Sequence, residues 1–394
     1  MTIEIFHQLG HNFVWNFQSH DDDSVGDGYI LAPSHIAKEQ IDSLPVEKST
    51  ISIFDPQFFL PNLQIRSLST YDFFPDRLAD GFTTSEFANN LCYECAKRCV
   101  QFQIQSGFNK IIIPTRYLTG MPPTFIQQQE QLFVSPFIDA IDSAQTKKPV
   151  ILQLILNDNM IKNEEYASEI LNWITGIQRI NGVYLIIDIN PRSKQIKDID
   201  FLFLYLKFIR ALRNNDLYVL LGYQNIESTL LSLADPNGIT IGSYENLRMF
   251  NIRNFENRDN LPIHGPNARI YVSKLLQWID NNYIGAIRKE IGDVLFDDNQ
   301  YRALMFQPTY RWHFTKPELY KHFFLVFSEQ INKISNLEGL ERFNLVLNIF
   351  DEANQGFALI NKAGVALDIN NDGSHISTWI TAANLFGKEM GWRK

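Results

Sequence analysis

The sequence is poor in the features that usually announce a function. It has only three cysteines, an odd number that cannot all pair within the chain, which fits a reducing compartment better than a disulfide scaffold. No basic flank followed by an apolar run lies near Met1, and no stretch approaches the roughly 18 apolar residues of a membrane span, so the expectation is a cytoplasmic protein without a membrane partner. A Gly-x-Gly-x-x-Gly after the first strand is missing, as are a Walker loop, a Gly-x-Ser-x-Gly elbow and a His-Glu-x-x-His pair. These absences weigh against a Rossmann dinucleotide site, a P-loop, an α/β-hydrolase and a zinc hydrolase, and no cofactor is indicated. Positive charge is in deficit too. Lys+Arg total 35 against Asp+Glu 44, a net charge of -9, which argues against bulk nucleic-acid binding and leaves room only for a local basic groove.

What is present is a rhythm. Within 394 residues that are 45% hydrophobic and include 30 Phe, short apolar runs end abruptly on polar residues or glycine, with helical or loop segments between them. Eight such runs are expected as strands: Tyr29 to Ala32, Ser49 to Phe54, Lys110 to Pro114, Pro149 to Leu156, Val183 to Asp188, Leu217 to Gly222, Gly238 to Gly242 and Arg269 to Val272. Runs apolar throughout suit strands covered on both faces, and Ile199 to Leu212 is long enough for a crossover helix. The pattern predicts a (β/α)8 TIM-like barrel over residues 1–296, an open doubly wound parallel sheet being the alternative. Residues 297–394 read as a mostly helical C-terminal domain, with helices over 315–334, 338–353 and 375–386 and a small hairpin over 357–368. Thr315-Lys316-Pro317-Glu318 has the form of a capping box.

If the barrel is right, strand exits define the functional face. Asp55, Asp158 and Asp188 directly follow apolar strands, where partial desolvation can poise a carboxyl as acid, base or nucleophile; the competing reading is that each caps the next helix. Around them stand Ser34, His35, Gln57, Arg116, Tyr117, Asn157, Asn190, Arg192, Gln224, Asn225, Ser243 and Tyr244. Gly242-Ser243 could admit an anion at a strand exit, and Arg116 and Arg192 offer bidentate groups for a phosphate or carboxylate, unless they pair with a nearby Asp. Three further clusters read as structural. Asp21-Asp22-Asp23 is expected as a solvated turn. Cys92, Cys95 and Cys99 carry the radical-SAM cluster spacings in reversed order, but at i, i+3 and i+7 of a helix they stack on one buried face. Asp368 to Gly373 matches the first half of an EF-hand loop, yet Trp379 stands where the bidentate Glu belongs, so a polar turn is expected and no metal site is assigned.

Leu220-Leu221-Gly222-Tyr223-Gln224-Asn225 through Ile241-Gly242-Ser243-Tyr244, within a barrel carrying a long loop after its second expected strand, resembles the tRNA-guanine transglycosylase barrels. In that family strand-end aspartates act on a base–ribose bond. The resemblance implies that Asp55 and Asp188 flank a nucleoside-like ligand; Pro56-Gln57-Phe58 replaces the family's Ser-Gly-Gly-Phe-Gln, and its zinc cysteines have no counterpart. Two functions follow as expectations. One is an enzyme acting on a nucleotide- or nucleoside-like substrate at the barrel's C-terminal face. The other is a non-catalytic binding or scaffold subunit of a multi-protein assembly, such as a bacterial defence complex, docking a protein partner through Phe58 to Phe74 or the C-terminal helices.

Overall fold

The computed structural model describes residues 2–59, 66–74, 90–189, 194–255 and 265–393. Eight strands form one parallel sheet: β1 (Glu4–Gln8), β2 (Gly28–Leu31), β3 (Ser52–Phe54), β4 (Ile111–Ile113), β5 (Val150–Asn157), β6 (Gly182–Asp188), β7 (Tyr218–Leu221) and β8 (Gly238–Gly242). Their order is sequential, and the first strand pairs with the last, from Glu4↔Gly238 to Gln8↔Gly242. Between β3 and β4 the seam is held by one parallel bridge, Ile53↔Lys110. The sheet therefore curls into a nearly closed (β/α)8 barrel, not an open doubly wound sheet.

Each strand buries both faces. One set of alternate residues, including Phe6, Ile30, Ile53, Ile112, Ile151, Ile155, Tyr184, Ile186 and Leu220, fills the barrel interior. The other set packs outward under the helices: Tyr29, Leu31, Phe54, Ile113, Leu154, Leu185, Val219 and Ile241 belong to a second, larger buried cluster. Two-sided burial is why these strands read as continuous apolar runs.

Strand membership differs from expectation at both ends of the barrel. β1 was not anticipated, because Glu4-Ile5-Phe6-His7-Gln8 mixes polar and apolar residues. Its polar positions have specific partners instead: His7 Nε2 lies 2.9 Å from the Val25 carbonyl, and Gln8 faces the interior network described below. Arg269–Val272 (β9) is not a barrel strand. It pairs antiparallel with Gln277–Asp280 (β10), a two-stranded hairpin outside the barrel, turning through Leu276 in the left-handed region. Gly242 thus closes the eighth barrel strand, not the seventh.

Other boundaries shift. Asp21 to Asp23 form the last turn of the helix Val14–Asp23 rather than a solvated turn; Asp21 meets Lys48 at 2.7 Å, and Asp23 accepts from the Tyr301 hydroxyl at 2.5 Å. The expected hairpin over 357–368 is not there. The helix Gly339–Lys362 runs through its first half and stops before Gly364, whose φ of 77° ends it. The helix Pro317–Ser335 starts with Pro in its first turn, but no capping box forms, and the Thr315 hydroxyl bonds His313 instead. The helix expected to carry the three cysteines on one buried face is seen as Cys92–Gln105. All three cysteines on it are buried and unoxidised, and burial raises each thiol's pKa.

The helices after residue 317 do a specific job. The β7–β8 crossover is only two short helical pieces, Ser228–Leu231 and Ser232–Ala234, and every residue of both is buried. The helices Pro317–Ser335 and Gly339–Lys362 lie over it, while His375–Glu389 packs against the neighbouring crossover helix Ile199–Asn214. Gln330 Nε2 donates to Thr229 Oγ1 at 2.9 Å; Arg342 Nη1 donates to the Ser232 carbonyl at 2.9 Å and to Asp235 at 2.8 Å. Residues from both halves of the chain form one continuous buried cluster.

Candidate active site at the barrel mouth

The interior turns polar toward the C-terminal ends of the strands. Asp55, just past β3, is fully buried. Its Oδ1 accepts from Gln153 Nε2 on β5 at 2.5 Å and from the Gln57 amide at 3.0 Å. Gln57 Nε2 donates to the Tyr223 hydroxyl at 3.1 Å, and Gln57 Oε1 accepts from the Ser34 amide. On the opposite wall the Tyr184 hydroxyl donates to Gln8 Oε1 at 3.1 Å. Gly222 leaves room for that ring: a β-carbon there would lie 2.5 Å from Tyr184. Five side chains, on or just past β1, β3, β5, β6 and β7, thus gather near one carboxyl.

This cluster is electrostatically unusual. Burial lifts the Asp55 pKa from 3.8 to about 7, against the pull of its hydrogen bonds from Gln153 and Gln57. Asp55 Oδ2, Gln8 Nε2 and Gln153 Oε1 have no partner among the described residues, although a buried polar atom left unpaired costs about 1–3 kcal/mol. Gln57 and Tyr223 both hold positive φ, 56° and 54°, a backbone conformation that costs non-glycine residues of order 1 kcal/mol and concentrates at functional sites.

Asp188, at the end of β6, adds a second carboxyl. Its Oδ2 accepts from the Tyr117 hydroxyl at 2.6 Å and its Oδ1 from the Ile252 amide at 3.1 Å. The Ile252 amide opens the short 3-10 helix Ile252–Phe255, so Asp188 meets one helix N-terminal amide and one phenol. Tyr117 and Ile252 belong to the same interior cluster as Tyr184 and Tyr223. Aromatic rings cover the mouth: Phe59 meets Phe250 and Phe255 edge-on with centroids 5.2 and 5.1 Å apart, and Tyr223 meets Phe250 at 5.1 Å.

The remaining expected residues have other surroundings. Asn157 caps the helix Asp158–Lys162 by accepting from the Met160 amide at 3.0 Å, and Asp158 pairs with Lys162 at 3.0 Å. Gln129 brackets the Arg116 backbone, and burial lowers the Arg116 pKa. Gln224 donates to the Gly222 carbonyl, and Asn225 accepts from Trp278. At Gly242 a β-carbon would sit 2.5 Å from Leu247, so Leu247 occupies the approach expected for an anion. The Gly242 and Ser243 carbonyls both accept from Arg248 Nη1. Asn190 and Arg192 lie outside the described residues. The turn at Asp368 to Gly373 is tied internally: Asp368 accepts from the Asn370 amide, Asp372 from Ser374, and Asn371 accepts from the Asp280 amide of β10.

Sequence reasoning missed Gln153 and Tyr184, because a strand apolar on both faces does not reveal which residues point inward, and Gln8, because its mixed strand β1 was not anticipated; it gave no role to Tyr223, two residues past β7. It also missed Glu227 and Arg248. Glu227 is buried, its pKa is raised by burial to about 7, and its Oε2 has no partner among the described residues. Buried Arg248 lies 4.0 Å from the Trp278 ring centroid, and burial lowers its pKa to about 10.

No protein-family model and no curated protein matches the chain. Among solved structures, it is similar to a dihydrodipicolinate synthase from Bacillus clausii, with a TM-score of 0.31 and 13% identity over 63% of this chain and 70% of that one. Another, from Oceanobacillus iheyensis, gives a TM-score of 0.32 and 11% identity over 96% and 95%. Neither is a transglycosylase, so that resemblance gains nothing from them, and likeness at this level adds nothing to what the strand ladder already establishes. By its own hydrogen-bonded order the chain is a (β/α)8 barrel with a polar cluster at the C-terminal end of its interior.

Proposed function

We propose that the chain is an enzyme working at the C-terminal mouth of its barrel on a nucleoside-like substrate, with Asp55 as the proton-transferring group. The observation that carries this reading is Asp55 itself: fully buried, raised to about pKa 7, with one oxygen unpaired among the described residues. Such a carboxyl is present in both protonation states near neutral pH, as general acid–base chemistry requires. The unpaired donor on Gln8 and acceptor on Gln153 belong to the same network, and rings of Tyr184 and Tyr223 flank it. A planar heterocycle with a donor–acceptor edge fits that chemistry: amides read the edge and aromatic rings hold the face. Asp188, fixed by Tyr117 and the Ile252 amide, is placed to stabilise positive charge developing at a sugar carbon as its bond to the base breaks.

The scaffold reading has less behind it. It expects strand-end aspartates spent on helix N-termini: Asp158 opens the helix that Asn157 caps, and Asp188 accepts from the first amide of the 3-10 helix Ile252–Phe255, but Asp55 meets only Gln153 and the Gln57 amide. The test is thermal unfolding of the protein with a panel of nucleobases, nucleosides and sugar phosphates, comparing wild type with Asp55→Asn and Asp188→Asn. A ligand at about 100 times its Kd stabilises the fold by about 2.7 kcal/mol. Stabilisation of wild type by one class, lost in Asp55→Asn, supports the site. If no compound moves any of the three proteins, the enzyme reading falls.

A further inference from the structure

A second feature lies far along the chain from Asp55. Between Asp298 and Glu318 there is no carboxylate, although the whole protein carries a net charge of -9. That stretch holds Arg302, Arg311 and Lys316 together with Tyr301, Phe306, Tyr310, Trp312 and Phe314. Most of it, residues 306–316, is irregular and joins the helix Gln300–Met305 to Pro317–Ser335. Phe306, Tyr310 and Trp312 are only partly buried and line a cleft of 570 Å³ against the helix Asn281–Ile291. The Tyr310 and Trp312 rings meet edge-on at 5.3 Å. Asp293, which lines the cleft, is already engaged by Arg288 at 2.6 Å and Arg302 at 3.2 Å, and Glu318 accepts from the Tyr310 hydroxyl at 3.3 Å. Lys289 at its rim pairs with Glu290 at 3.6 Å, whereas among the described residues neither Arg311 nor Lys316 pairs with a carboxylate.

We propose that this cleft binds a short run of single-stranded nucleic acid, bases stacking on Trp312 and Tyr310 and phosphates meeting Arg311 and Lys316 beside it; Phe306 is already covered by the Arg288 guanidinium, 4.1 Å from its ring centroid. Stacking platforms beside two cations that meet no carboxylate among the described residues suit a polyanion whose bases are free, whereas an aromatic groove for a proline-rich peptide has no need of the cations. Duplex recognition is disfavoured, because the basic surface is local and the global charge is negative. The inference does not depend on the chemistry at the barrel mouth. Fluorescence anisotropy of labelled oligouridine and oligothymidine of about 12 nucleotides tests it, in salt from about 50 to 200 mM. Binding should weaken with salt. Trp312→Ala should weaken it about tenfold, and Arg311→Ala with Lys316→Ala should flatten the log–log salt slope by about 1.4. The charge pair is the control for folding, since Arg311 is exposed and Lys316 only partly buried. Asp55→Asn should bind as wild type does, which keeps this test separate from that of the mouth. The two oligonucleotides separate ribose from deoxyribose strands. Absence of salt-dependent binding to both, or binding untouched by either set of substitutions, overturns the proposal, as does capture of a proline-rich peptide in place of either strand.

Discussion

At the residue scale, Asp55 ties stability to pH in a direction opposite to most carboxyls. Its folded pKa of about 7 lies above the usual 3.8, so between those values the native state holds a proton that the unfolded chain has released. Stability therefore falls as pH rises through this window and stays reduced above it. Asp55→Asn keeps an acceptor for Gln153 and Gln57 and removes the charge. Urea unfolding should find the variant equal to wild type near pH 4 and more stable at pH 8, by as much as ~4 kcal/mol. A variant less stable at pH 8 would mean that the ionised carboxyl is well solvated and the pKa is not raised. The buried His7, depressed by burial to about 4, works the other way, losing stability as pH falls below its usual 6.5. Asp55, Asp188 and Tyr117 were legible in the sequence because they follow apolar runs. Gln153 and Tyr184 were not: mid-strand, their inward direction depends on a register that only the folded ladder sets.

At the element scale, the strand signals located β2 through β8, because burial on both faces writes an unbroken apolar run into each. The count of eight nevertheless held one wrong member. β1 is short and polar at three of five positions, while Arg269 to Val272 is as apolar as a barrel strand but belongs to a hairpin buried against the helix Pro317–Ser335. Local composition reports burial, not which sheet supplies it. The interior also restricts its elements. Gly222→Ala would push a β-carbon to within 2.5 Å of the Tyr184 ring, and overpacking of this kind costs about 1–3 kcal/mol. A urea midpoint lowered accordingly, with an unchanged m-value, is expected. If ligand binding at the mouth is lost in the same variant while the oligonucleotide cleft is unaffected, Tyr184 orientation matters to the site as well as to the core.

At the scale of the whole molecule, barrel and C-terminal helices share their buried surface. The expectation of a helical region after residue 297 agrees with the helices seen, but sequence alone gave no sign that they cover the β7–β8 crossover, since that requires knowing how short the crossover is. A fragment ending at Asp297 would leave Leu230, Leu231 and Leu233, all buried in the full chain, facing water. We expect it to aggregate or to unfold without cooperativity, and to be recovered by co-expression with residues 298–394. A monomeric fragment with a sharp melting transition would show that the barrel stands alone. The short crossover also has a consequence in time. The last barrel strand leaves the ribosome well before the helices that seal its seam, and at about 5–20 residues per second the nascent barrel stays uncovered for seconds or longer. During that interval the apolar seam is open to whatever binds exposed hydrophobic chain, so the yield of folded protein should follow translation speed and chaperone supply more closely than the stability of the finished fold.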